Sequence, residues 1–229
     1  MEYNQNNYYV QQKDSLAHQY VRVYGWMFLG LIITGLVAYF TVTGPILDLI
    51  ANRFTILLFF VAELALVWYL SSRTMRMQYV TAATVFILYS ALNGITMSLI
   101  LLAYTTFSIA YVFLITAAFF GFMSIYGVIT KQDLTSMGSL LFMGLIGIII
   151  ASIVNILLRN EMLYWIISFI GVAVFLGLTA YDSQKIKKIH AAYAGTDREK
   201  NVAIIGALSL YLDFINLFLF ILRLLGRRR

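Results

Sequence analysis

The chain has 229 residues, 62% of them hydrophobic and 11% charged, with a formal net charge of +6. A soluble domain carries about 45–50% apolar and about 25% charged residues, so the composition excludes an ordinary water-soluble domain and points to a polytopic helical membrane protein. Cysteine is absent, and the only histidines, His18 and His190, lie outside the apolar runs, which excludes disulfides, thiolate chemistry and a histidine-based metal site within the membrane.

Residues 1–21 read as a polar tail, expected to be disordered and cytoplasmic, with no apolar stretch of the kind a cleavable signal needs. Residues 22–229 read as a single transmembrane domain. Seven apolar segments follow, at about 24–47, 54–71, 79–103, 107–130, 137–158, 162–186 and 203–225. Short connections make sequential helices antiparallel neighbours. Pro45 after Gly44 is expected to stop the first helix. The longest connection, Lys187 to Val202, contains the turn-former Gly195, and His190 is expected to sit in it as a loop residue. Gly147–Ala151 and Ala173–Gly177 fit the small-xxx-small pattern and read as generic helix packing.

The positive charge is better explained by anionic headgroups than by nucleic acid. With the N-terminus inside, the inner segments hold Lys13, Arg22, Arg73, Arg76, Lys131, Lys185, Lys187, Lys188, Arg198 and Lys200, against Arg53 and Arg159 outside. The distribution favours a cytoplasmic N-terminus. The Arg227–Arg229 cluster runs against it if the seventh segment is a full span, yet Ala203–Leu225 shows no proline and no break that would turn it back.

Three carboxylates remain in or near the apolar spans: Glu63, Asp182 and Asp213. Glu63 lies mid-span in the second helix, where it either lines an outer vestibule or pairs with a neighbour. Arg73 and Arg76 close that helix on the inner side, with snorkelling as their default. Asp213 is near the centre of the last segment, where a carboxylate costs about 2.5–3.5 kcal/mol on insertion scales. Gly206, Ser209, Asp213 and Asn216 recur at helical spacing, so they form one narrow polar stripe facing protein or water. Asp182 sits near the inner end of the sixth segment, and the two aspartates can meet if that helix extends to Lys187 or beyond; the competing reading for each is structural pairing to Ser, Tyr, Asn or Arg. Two carboxylates within hydrogen-bonding distance in a low dielectric share a proton and repel once both ionise. Such a pair is a proton-operated latch, and it leaves oxygen ligands suited to a hard cation such as Ca²⁺.

No catalytic motif is visible. The chain lacks H-E-x-x-H, G-x-S-x-G and nucleotide-binding fingerprints. Tyr181–Asp182 matches half of an intramembrane aspartyl protease pattern, but Asp213 lies in LYLDFIN without the glycine motif of the other half. The expectation is a non-enzyme without cofactor.

GLTAYDSQKIKKI, followed after about two dozen residues by ALSLYLDFINLFLFILRLLG, resembles the C-terminal signature of the Bax inhibitor-1 family, also called the transmembrane Bax inhibitor motif family. Length, span count and polar N-terminal tail agree with it along the chain. The resemblance implies two three-helix layers around a central C-terminal helix, all-α throughout. It also implies a pH-sensitive calcium leak channel gated by an aspartate pair, which by motif falls on Asp182 and Asp213. Glu63 matches an acidic residue of the family's second helix, and Arg73 or Arg76 matches an arginine able to engage the aspartates. Ser209 and Asn216 are then candidates to line the path, and Asp182, Asp213 and Glu63 to touch a transient Ca²⁺. The resemblance further implies a bacterial plasma membrane location. Some relatives look instead like regulators of membrane proteases or of cell death, so a non-conducting protein that binds other membrane proteins is the alternative. The expected surroundings are the lipid bilayer, Ca²⁺ as permeant ion and no nucleic acid, with the chain a monomer.

Overall fold

The computed structural model describes residues 2–44 and 52–229, with side chains for 16–44, 52 and 54–229. Seven α-helices follow one another: α1 (Glu2–Thr43), α2 (Arg53–Arg73), α3 (Tyr79–Ala103), α4 (Thr106–Ile129), α5 (Thr135–Leu158), α6 (Glu161–Tyr193) and α7 (Glu199–Leu225). A 3₁₀ turn, Thr74–Arg76, follows α2. All seven helices are long and apolar enough to cross a membrane, and no strand occurs among the described residues. The protein is an all-α polytopic membrane protein. Pro45 lies outside the described residues, while α1 ends at Thr43, two residues before it.

Two expectations about the chain's polar segments are corrected. The tail expected to be disordered is helical from Glu2, continuous with the first span, because extending an existing helix fixes one residue per hydrogen bond and avoids a new nucleus. The long connection expected between Lys187 and Val202 shrinks to 194–198, since α6 runs to Tyr193 and α7 begins at Glu199. Gly195 makes the turn with φ +74°, a conformation that glycine adopts without a Cβ penalty. Its N–H donates to Glu199 Oε2 at 3.0 Å. His190 is consequently on a helix and 3% exposed, not in a loop.

The contacts divide the chain into two compact units, Met1–Ile100 with Ile186–Tyr211, and Leu101–Lys185 with Leu212–Arg229. Within the first unit, Gly94 lets α3 approach α1 so closely that a Cβ there would lie 2.7 Å from the Thr34 carbonyl oxygen. Gly206 packs α7 against Val23 and Ile186. Within the second, a Cβ at Gly127 would overlap the backbone carbonyl of Ala180, so α4 and α6 touch backbone to backbone there. Gly177 packs on Leu141, whereas a Cβ at Gly147 would meet nothing within 4 Å. In α7, 67% of the apolar window is buried, more than in any other span.

Candidate functional site

Asp213 is 4% exposed and is set by the packing of its neighbour. Phe214 takes edge-on contacts from Phe113 and Phe120 of α4, with ring centroids at 5.3 and 5.4 Å. Asp213 Oδ2 is buried and has no hydrogen-bond partner. A buried carboxylate oxygen without a donor is costly, since the group loses its water and gains nothing in exchange.

Asp182 belongs to the same unit through α6, and the residues beside it are tied down within that unit. Ser183 and Ser124 hydroxyls are 2.8 Å apart. The Gln184 amide spans the α4–α5 connection, donating to Gln132 O at 2.7 Å and accepting from Leu134 N–H at 2.9 Å. Tyr181 lies over Gly138, where a Cβ would overlap its ring. The Asp182 side chain is 15% exposed, and its Oδ1 is 3.9 Å from Lys185 Nζ. Lys185 also sits 5.6 Å from the Tyr181 ring centroid. The charges of Asp182 and Lys185 both act on Asp213, so two carboxylates and one ammonium lie within Coulombic reach of one another.

Glu63 belongs to the first unit, 9% exposed. The Thr96 hydroxyl donates to its Oε1 at 2.5 Å. The network continues. Tyr211 on α7 donates to Asn93 Oδ1 at 2.9 Å, and its hydroxyl lies 2.6 Å from Thr34 Oγ1 on α1. Thr34 in turn donates to the carbonyls of Gly30 and Ser90, both at 2.9 Å. Phe86 and Tyr89 flank the Tyr211 ring edge-on, at 5.9 and 5.7 Å.

The remaining candidates are less engaged. Arg73 and Arg76 are exposed at the end of α2 and in the 3₁₀ turn, and they belong to the first unit while both aspartates belong to the second. Ser209 and Asn216 are half-buried on α7, flanking the buried Asp213 along the helix. Asn216 turns its amide back to Leu212 O at 2.8 Å. Among the described residues no three His, Cys, Asp or Glu side chains converge. Ca²⁺ takes six to eight oxygens, so near this pair of carboxylates backbone oxygens and water would have to supply the rest.

Lys185 and the Tyr211–Asn93–Thr34 network were not anticipated. In the sequence Lys185 counts only among the basic residues of the inner segments, although its i+3 spacing from Asp182 puts both on one helix face. An asparagine amid apolar α3 was the available signal for the network, since a buried polar group in a span needs a partner.

The family described as Inhibitor of apoptosis-promoting Bax1 matches residues 17–229 of the chain. The chain is similar to the inner membrane protein YbhL of Escherichia coli (strain K12), 45% identical over 224 residues that cover 96% of each chain. It is also similar to RP147 of Rickettsia prowazekii, 42% identical over 94% of this chain and 92% of that one. A membrane protein of Streptococcus pyogenes serotype M1 is 36% identical, over 98% and 99%.

Proposed function

The chain belongs to the Bax inhibitor-1 family, and from that premise we propose that it forms a pH-sensitive calcium leak with Asp182 and Asp213 as its gate. Asp213 carries the proposal: a carboxyl group in the middle of α7, 4% exposed and with one oxygen lacking any donor. Intramembrane ionisable groups are expensive, and they are retained where they bind, move or sense charge. Asp182 supplies the second carboxylate and Lys185 the competing cation, so protonation of one group alters the charge balance felt by the others. A shared proton draws the carboxylates together, and loss of it drives them apart. The gate is therefore a proton-counting contact between α6 and α7, and the chemistry is passage of a hard cation rather than a reaction. Location in a bacterial plasma membrane, with the N-terminus cytoplasmic, completes the picture.

Purified protein in liposomes tests it. Vesicles containing the protein should take up Ca²⁺ faster than empty vesicles when a gradient is imposed. Flux equal to that of empty vesicles at every pH from 5 to 9 would sink the channel and leave a non-conducting regulator of other membrane proteins.

A further inference from the structure

The residues after α7 do not trail from the fold. Within the second unit they run antiparallel to the connection before α4, pairing Tyr104 with Arg228. Thr105 N–H donates to Arg227 O at 3.0 Å, and Arg229 N–H to Ala103 O at 3.1 Å. Arg227 N–H donates to Ser108 Oγ at 3.0 Å. Three backbone anchors thus hold the strap, and its side chains leave from fixed positions.

Those side chains are arginines. Arg223, Arg227, Arg228 and Arg229 are all exposed. The Arg223 guanidinium is 5.9 Å from the Tyr164 ring centroid, and that of Arg228 is 6.0 Å from the same ring, donating to its hydroxyl at 3.3 Å. Two like charges therefore share one ring and lie within about 12 Å of each other. Among the described residues no carboxylate lies within ion-pair distance of these arginines; the ion pairs there are Arg22–Glu199 and Lys185–Asp182. Cation–π contact stabilises each guanidinium but does not cancel its charge.

Position narrows the missing anion. Tyr164 and Trp165 open α6 within four residues of Glu161, and Arg223 lies in the last turn of α7. Both are span ends, where aromatic belts meet headgroups. Planar guanidiniums fit phosphate oxygens in pairs, which an ammonium does not do.

We infer that Arg223 and Arg228, astride Tyr164, bind the phosphate of an anionic phospholipid headgroup, with Arg227 and Arg229 adding charge around it. The site offsets an arginine cluster that the positive-inside pattern leaves unexplained, and it ties the end of α7 to the bilayer surface. Arginine stays protonated across the ordinary pH range, so the site binds equally from pH 5 to 9.

Thermal unfolding of the full chain in detergent micelles, with short-chain phosphatidylglycerol, phosphatidylcholine or inorganic phosphate added, is the test. Phosphatidylglycerol should raise Tm by about 5 °C at a hundredfold excess over its Kd, equally at pH 6 and pH 8. Phosphatidylcholine and inorganic phosphate should give little shift. R223Q/R228Q should lose most of the effect, and R223K/R228K should keep part of it. An equal shift with phosphatidylcholine, or an undiminished one in R223Q/R228Q, overturns the assignment. A full shift with inorganic phosphate alone also overturns the lipid. Should the glutamine pair not fold, the three wild-type additions decide.

Discussion

A carboxyl group at position 213 has to be neutral, paired or hydrated, because an isolated charge in the apolar interior has no other refuge. The same pressure acts on Glu63, yet the two sites resolve it differently. Glu63 accepts a hydrogen bond from Thr96 and stands beside a network that joins α1, α3 and α7 through Tyr211. Asp213 lacks a donor at Oδ2 and answers instead to the charges of Asp182 and Lys185. One site has its hydrogen-bond donor; the other lacks one at Oδ2. Tyr211→Phe should cost about 0.6–1.7 kcal/mol, the range of interhelical hydrogen bonds in membranes, because Asn93 Oδ1 then loses the donor it has from α7. Thermal unfolding in micelles reads this as a Tm lowered by a few degrees. An unchanged Tm would mean that the network adds no net stability. Asp182 and Asp213 were legible in the sequence, since a lone aspartate stands out in an apolar run. Lys185 as their counter-charge was less so, because a lysine near a span end reads first as a headgroup anchor.

At the scale of elements, apolar runs of about 20 residues mark the spans by themselves, and all seven are found where the composition places them. Their ends were harder to read. Lys187, Lys188 and His190 look like loop residues, but α6 carries them for two further turns until Gly195 reverses the chain. Polarity of a helical residue says which medium it meets, not whether its backbone is helical. Glycines show the same limit. Gly147 and Gly127 are alike in sequence, yet only Gly127 has a backbone carbonyl where its Cβ would be. Gly127→Ala should therefore destabilise by about 1–3 kcal/mol, as overpacking does, while Gly147→Ala should be neutral or gain up to about 1 kcal/mol of helix propensity. Comparing the Tm of the two variants checks the closeness of α4 and α6. Equal values would contradict that packing.

Across the whole molecule, the seven helices long and apolar enough to cross a membrane end with α7, a continuous helix of 27 residues. The Arg227–Arg229 cluster is held by backbone bonds to the connection before α4. Family membership explains the shared length and span pattern. It does not by itself separate a conduit from a binding partner of other membrane proteins, and the charge at the centre of α7 is what favours the conduit. The most direct measurement is the pH profile of Ca²⁺ uptake into liposomes by wild-type protein and Asp213→Asn, with folding of the variant checked by its Tm. The account predicts that wild-type flux changes with pH between about 5 and 9, and that Asp213→Asn flattens the profile because one member of the proton-sharing pair can no longer titrate. A folded Asp213→Asn protein with the wild-type flux and the wild-type pH response would contradict the aspartate gate.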